Sequence, residues 1–141
     1  MTTGEVLLKV TDLSVEFDTP QGPLRAVDGV SWHVRAGETL AILGESGSGK
    51  SVSTQALTGI LEMPPGRILS GTAEYRGEDL IAMTTRERRK IVGDRITMVF
   101  QDSLSALNPV QSVGTQIAEC YRVHRGMSKR DAMKRLGERL G

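Results

Sequence analysis

The sequence predicts an α/β fold, and three observations predict it. Segments near the start alternate apolar and polar residues, residues 39–43 run apolar into a glycine-rich stretch, and helical apolar spacing follows that stretch and returns near the end. With 141 residues there is room for one core, so the chain is expected to be one domain or part of one. A quarter of the residues are charged and the net charge is +1, which argues against disorder and against a broad nucleic-acid surface. No nucleic-acid partner is expected, and an anionic ligand would have to be gripped locally. The lone Cys120 has no partner for an internal disulfide and, on a helical face, reads as a buried structural thiol. Glu5 precedes any apolar run, and no apolar stretch approaches the length of a membrane span, so attachment to a membrane would come through partners.

Taken in order, residues 6–10, 13–17 and 30–34 show a period of two and read as strands. Pro20, Gly22 and Pro23 break the chain after Phe17, Asp28-Gly29 reads as a tight turn, and Ala36-Gly37 precedes the next element. Residues 39–43 are expected to be a core strand buried on both faces of a sheet. Trp32, in step with Val30 and Val34, is expected to pack inward. From Lys50 onward, Val52, Ala56, Leu57, Ile60 and Leu61 share one side of a helix that Pro64-Pro65-Gly66 would end. Residues 72–76 read as a strand with Gly77 at its turn. Thr84 and Glu87 then make a capping box for a short basic helix whose Arg86, Arg88, Arg89 and Lys90 read as a solvated face. A second apolar strand is expected at 96–100, followed by Gln101-Asp102-Ser103 and the turn signal Asn108-Pro109. Two helices follow. One carries Val113, Ile117, Cys120, Tyr121 and His124 on a face, and the other, opened by Ser128 and Asp131, carries Ala132, Met133, Leu136 and Leu140.

Chemistry concentrates in Gly44-Glu45-Ser46-Gly47-Ser48-Gly49-Lys50-Ser51, which has the spacing of a phosphate-binding P-loop. Glycines let consecutive N–H groups turn toward phosphate oxygens, and side chains at Gly47 or Gly49 would obstruct that curl. The helix that follows adds its positive end, with the N–H groups around Lys50, Ser51 and Val52. Lys50 is placed to reach the β- and γ-phosphates of ATP, and the Ser51 hydroxyl to bind Mg2+, which prefers oxygen ligands. Glu45 is a poor candidate for a general base, because it lies in the loop among the phosphates.

Read together with Phe100-Gln101-Asp102, Leu107-Asn108-Pro109 and Gly126-Met127-Ser128-Lys129, the loop resembles the nucleotide-binding subunit of ATP-binding cassette (ABC) transporters, in the dipeptide and oligopeptide importer branch. The resemblance runs along nearly the whole chain. It implies a P-loop NTPase core, truncated, with an N-terminal antiparallel β-subdomain and the loop core over 1–101, and the Q-loop and start of a helical subdomain over 102–141. It also implies that Phe17 stacks on adenine, the alternative being that Phe17 packs in the β-subdomain. Gln101 matches the Q-loop glutamine, beside Mg2+ and the attacking water. Ser103 stands where importers usually have proline, which makes the loop after Gln101 less rigid. A rival reading takes 96–102 as a strand whose Asp102 holds magnesium, as in a self-contained kinase or GTPase, or leaves the chain a non-catalytic nucleotide-binding fragment. The implied partners are transmembrane permease subunits and a second ATP-binding subunit, with the protein peripheral on the cytoplasmic face of the membrane. Signature motif, Walker B aspartate, catalytic glutamate and switch histidine are absent from these residues, so the 141 residues alone are expected to bind ATP with little or no turnover.

Overall fold

The computed structural model describes residues 4–100 and 107–140. The chain divides into two units, Met1–Lys90 and Ile91–Gly141. In the first, β1 (Val6–Thr19) and β2 (Gly22–Arg35) form a long hairpin. Pro20 and Gln21 make its turn, which the Thr19 hydroxyl closes by donating to the Gly22 carbonyl at 2.6 Å. The strand β3 (Gly66–Tyr75) pairs with the other edge of β1, and the short β4 (Glu78–Asp79) pairs with β3. The order is β2-β1-β3-β4 and every pairing is antiparallel. Val10, Leu13, Val15, Val27, Ala73 and Leu80 are buried, as are Ala56 and Leu57 of the helix α1 (Lys50–Thr58), which packs against β1 and β2.

The two strands expected at 6–10 and 13–17 are one bent strand. Strict alternation would put Val10 and Leu13 on opposite faces, yet both are buried, because a bulge at Asp12 (φ 47°) shifts the register toward β2 and β3. Ser31 clamps the bulge: its Oγ accepts from the Asp12 N–H at 2.9 Å and donates to Asp12 Oδ1 at 3.2 Å. Asp28-Gly29, expected as a turn, is a second irregularity inside β2, where the Gly29 N–H donates to Ser14 Oγ at 2.9 Å. The strand expected at 30–34 therefore begins at Gly22.

Residues 39–43 are not the buried core strand that was expected. They have no ladder partner among the described residues, and Leu43 is 90% exposed. A strand buried on both faces needs neighbours to hydrogen-bond its edges and elements to cover it. The apolar segment 96–100 behaves alike in the second unit, where Ile96 makes one isolated parallel bridge to Val92 and Val99 is 91% exposed. The helix α1 stops at Thr58, short of the expected prolines. Gly59 caps it in the left-handed conformation, its N–H bonded to Ala56, so Ile60 and Leu61 lie past its end. The next strand begins at Gly66 rather than at residue 72.

The helix α2 (Thr85–Arg88) has the full capping box. Thr84 Oγ1 and N–H donate to Glu87 Oε2 at 2.6 and 3.0 Å. These bonds, the hydroxyl's first, hold the Glu87 carboxyl below its ordinary pKa of 4.5, with Lys90 assisting. Arg88 departs from the expected solvated face: it is half-buried, and its Nη2 donates to the carbonyls of Ile81 (3.2 Å) and Met83 (3.3 Å).

In the second unit, Ser112 caps α3 (Val113–Arg125), Gly126 ends it, and Ser128 caps α4 (Lys129–Leu140) by accepting from the Asp131 N–H at 3.1 Å. The two helices pack together, with Ala118 buried on α3 and Ala132 and Leu136 on α4. This overturns the expectation of a buried Cys120, which is exposed. Two residues beyond Ala118 is about 200° around the helix, so a face chosen to include Cys120 points away from α4.

Gly71 faces the Asp12 bulge with φ 102°, and a Cβ there would lie 2.5 Å from Leu13 Cα and 2.7 Å from Leu13 N. Neither backbone atom yields cheaply, so Gly71→Ala is expected to destabilise the first unit by about 1–3 kcal/mol in urea denaturation. Thr84→Val should return the Glu87 carboxyl toward 4.5, as read by an NMR titration. Because the folded pKa is depressed, the contribution of the capping box is full above 4.5 and is lost as pH falls through the lower folded value; the variant should flatten the pH dependence of stability in that window.

Candidate functional site

The glycine-rich loop occupies residues 44–49 and opens directly into α1, whose N-cap is Gly49 with φ 83° and no side-chain cap. The first N–H groups of a helix have no partners inside it, so those of Lys50, Ser51 and Val52 face the loop as donors for an anion. The Ser48 N–H donates to the Glu45 carbonyl at 3.2 Å and tightens the curl. Gly47, φ 81°, has open space where a Cβ would go, so what it supplies is the left-handed backbone rather than room. At Gly49 the constraint is steric, since a Cβ there would collide with the Ala26 carbonyl oxygen and press on Val27 Cγ2 at 3.1 Å. The loop is thus seated on β2 by backbone-to-backbone approach.

Lys50 reaches back across the loop. Its Nζ donates to the Gly44 carbonyl at 2.7 Å, the Glu45 carbonyl at 2.5 Å and Ser48 Oγ at 3.1 Å. All three bonds are exposed, so phosphate oxygens can replace these acceptors without any rearrangement of the core. Glu45, Ser46 and Ser51 are exposed, Val52 is half-buried, and the Ser51 hydroxyl stands in the first helical turn. Among the described residues no cluster of three His, Cys, Asp or Glu side chains could hold a metal ion. A single hydroxyl beside a phosphate nest fits Mg2+ carried by the phosphates themselves, since this ion keeps several waters and takes few protein ligands. Behind the loop, a cavity of about 250 Å³ is bounded by Val30, Trp32, Ile42, Gly44, Ser48 and Lys50. The half-buried Trp32 therefore backs the loop instead of packing wholly in the sheet, and its Nε1 is buried without a hydrogen-bond partner.

Phe17 lies near the end of β1, two residues beyond Val15, which pairs with the Val27 that flanks Gly49. It is half-buried beside Gly66, its partner in β3. Gln101, and with it Asp102 and Ser103, lies outside the described residues. Spacing carried the loop itself, whereas the seat on Ala26, the backing by Trp32 and the pairing of Phe17 with Gly66 join residues too far apart in sequence for any local signal.

A glycine loop seated on a β-sheet and opening a helix defines a P-loop α/β domain. The family model for ABC transporters matches residues 27–141, and the chain belongs to that family. Over 134 residues it is 45% identical to the oligopeptide transport ATP-binding protein OppD of Bacillus subtilis, covering 95% of this chain and 37% of that protein. It is 46% identical over 123 residues to the dipeptide transport ATP-binding protein DppD of Escherichia coli, covering 87% and 37%. The chain thus spans little more than a third of the length of these relatives. Among solved structures, the dimeric bacterial ABC transporter cassette MJ0796 superposes with a TM-score of 0.77 at 23% identity, covering 93% of this chain and 54% of that one. The same cassette in a post-hydrolysis state, bound to ADP and Pi, matches with the same TM-score. Family membership sets aside a self-contained kinase or GTPase.

The seat of the loop is open to test. Gly49→Ala combines a left-handed φ with a collision against Ala26, and is expected to weaken binding of inorganic tripolyphosphate about tenfold or more by calorimetry.

Proposed function

We propose that this chain grips the triphosphate of ATP, with Mg2+, as the front part of the ATP-binding subunit of an ABC importer for dipeptides or oligopeptides. In the whole subunit, ATP hydrolysis would drive that import. The observation that carries the reading is the loop: three exposed contacts of Lys50, a glycine N-cap without a side chain, and uncapped N–H donors at the start of α1. In this reading Gly44, Glu45, Ser46, Gly47, Ser48 and Gly49 wrap the β- and γ-phosphates. Lys50 supplies the charge, and Ser51 and Val52 complete the N-terminal donors, Ser51 also holding Mg2+. Gln101 joins the metal and the attacking water, and Phe17 takes the adenine. The peptide substrates follow from the likeness to oligopeptide and dipeptide transport ATP-binding proteins. So do permease subunits as partners, a second ATP-binding subunit, and a place on the cytoplasmic face of the membrane. No helix among the described residues is long and apolar enough to cross a membrane, which suits a subunit attached through others.

Removing the Lys50 ammonium deletes a charge-assisted contact worth about 1.5–3 kcal/mol, so Lys50→Ala should weaken ATP about 10- to 100-fold in calorimetry with Mg2+ present. Unchanged affinity removes the loop from the site. The full-length subunit carrying the same change is expected to lose peptide uptake in cells; retained uptake would remove the transport reading while leaving nucleotide binding intact.

A further inference from the structure

The residues on either side of Phe17 are tied down in a way that the phosphate loop does not explain. Glu16 pairs in register with Arg25 of β2 and Arg67 of β3, so the three side chains form a row straight across the sheet. The Glu16 carboxylate, 13% exposed, lies 2.8 Å from Arg67 Nη2 and 3.7 Å from Arg25 Nε. Arg67 is also 3.0 Å from Asp18, and Arg25 Nη1 is 2.8 Å from Asp28. The Asp18 N–H donates to the Pro65 carbonyl at 3.0 Å. Successive residues of a strand face opposite sides, so Phe17 projects away from this row. On its own side, the ring meets Gly66: a Cβ there would lie 3.1 Å from Phe17 Cε1 and 3.3 Å from Leu61 Cγ.

We propose that Glu16 and Gly66 are positioning residues for the nucleotide base, holding the Phe17 ring as its stacking platform; this rests on the reading of Phe17 given above. The platform lies near a hairpin end, where pairing is most prone to fray, and a stacking ring must keep a set distance from the phosphates. The ionic row pins β1 to both neighbours at that point. Through Arg25 it adjoins Ala26, the residue on which Gly49 is seated, so one row links the platform to the end of the loop. Exposed ion pairs contribute little to stability singly, and both arginine side chains are about half exposed, so the row is better explained by the position it enforces than by stability. Gly66 adds the other half, because any larger residue would push the ring off the bare Cα against which it lies.

The test compares ATP with inorganic tripolyphosphate, which has the phosphates and no base, by calorimetry on this chain. Phe17→Ala is expected to weaken ATP about tenfold and leave tripolyphosphate unchanged, the usual scale for loss of one base–aromatic stack. Glu16→Gln and Gly66→Ala should each weaken ATP about three- to fivefold, again without effect on tripolyphosphate, and neither should add to Phe17→Ala in a double variant. Arg67→Gln repeats the test from the other side of the ion pair, in case Glu16→Gln fails to fold. A parallel loss of both ligands in the Glu16, Arg67 and Gly66 variants makes these residues structural and overturns the proposal. So does an ATP-to-tripolyphosphate ratio that moves for Phe17→Ala and for none of the others, an outcome that leaves the base platform standing. If Phe17→Ala itself leaves the ratio unchanged, the platform falls with the proposal, while the phosphate grip is still judged separately by Lys50→Ala.

Discussion

The strand β1 is hydrogen-bonded along both edges, to β2 and to β3, and most of what the first unit holds in place hangs from that double ladder. An antiparallel hairpin alone is marginal in water, and a third strand with a buried face is what makes it persist. Leu13 and Val15 are fully buried at the middle of β1, and the bulge at Asp12 lets Val10 join them despite the odd spacing. From this strand come the pairing of Val15 with Val27, against which the loop is seated, and the register that sets Phe17 opposite Gly66.

The phosphate loop depends on the sheet as much as on its own glycines. Its end is held where Gly49 lies against the backbone of Ala26, an approach that a side chain would forbid. Its beginning is held by the Lys50 ammonium, which gathers the carbonyls of Gly44 and Glu45. The same charge that closes the loop is the one that would meet a phosphate, and its present acceptors are solvent-exposed, so exchanging them leaves buried groups undisturbed. Fixed backbone donors at the start of α1 add to this without reorganising.

Segments 39–43 and 96–100 illustrate the opposite case. Both are apolar enough to be central strands, and the described residues supply neither with a ladder. Leu43 and Val99 consequently stay exposed, since apolar composition by itself does not bury a strand whose edges lack partners. The helical hairpin of the second unit shows how a local rule can misplace a face: Val113, Ile117 and Cys120 have helical spacing, yet the small Ala118 is the residue that packs, with Ala132 buried on the facing helix. Close helix contact favours small residues, a preference that hydrophobicity alone does not rank.

By itself the sequence determined the features whose cause lies within a few neighbouring residues. The loop from Gly44 to Ser51, the helix after it, the capping box of Thr84 and Glu87, and the caps at Ser112 and Ser128 are all local chemistry, each readable from spacing. Tertiary structure decided what depends on residues brought from far apart. It merged two expected strands through the clamp of Asp12 by Ser31, turned Asp28-Gly29 from a turn into a bulge, and ended α1 at Gly59. It also turned Cys120 outward and set Arg67, fifty-one residues along the chain, against Glu16. Local signals report the conformation a few residues prefer; register, burial and cross-strand charge pairing are settled only when the whole sheet selects which partners meet.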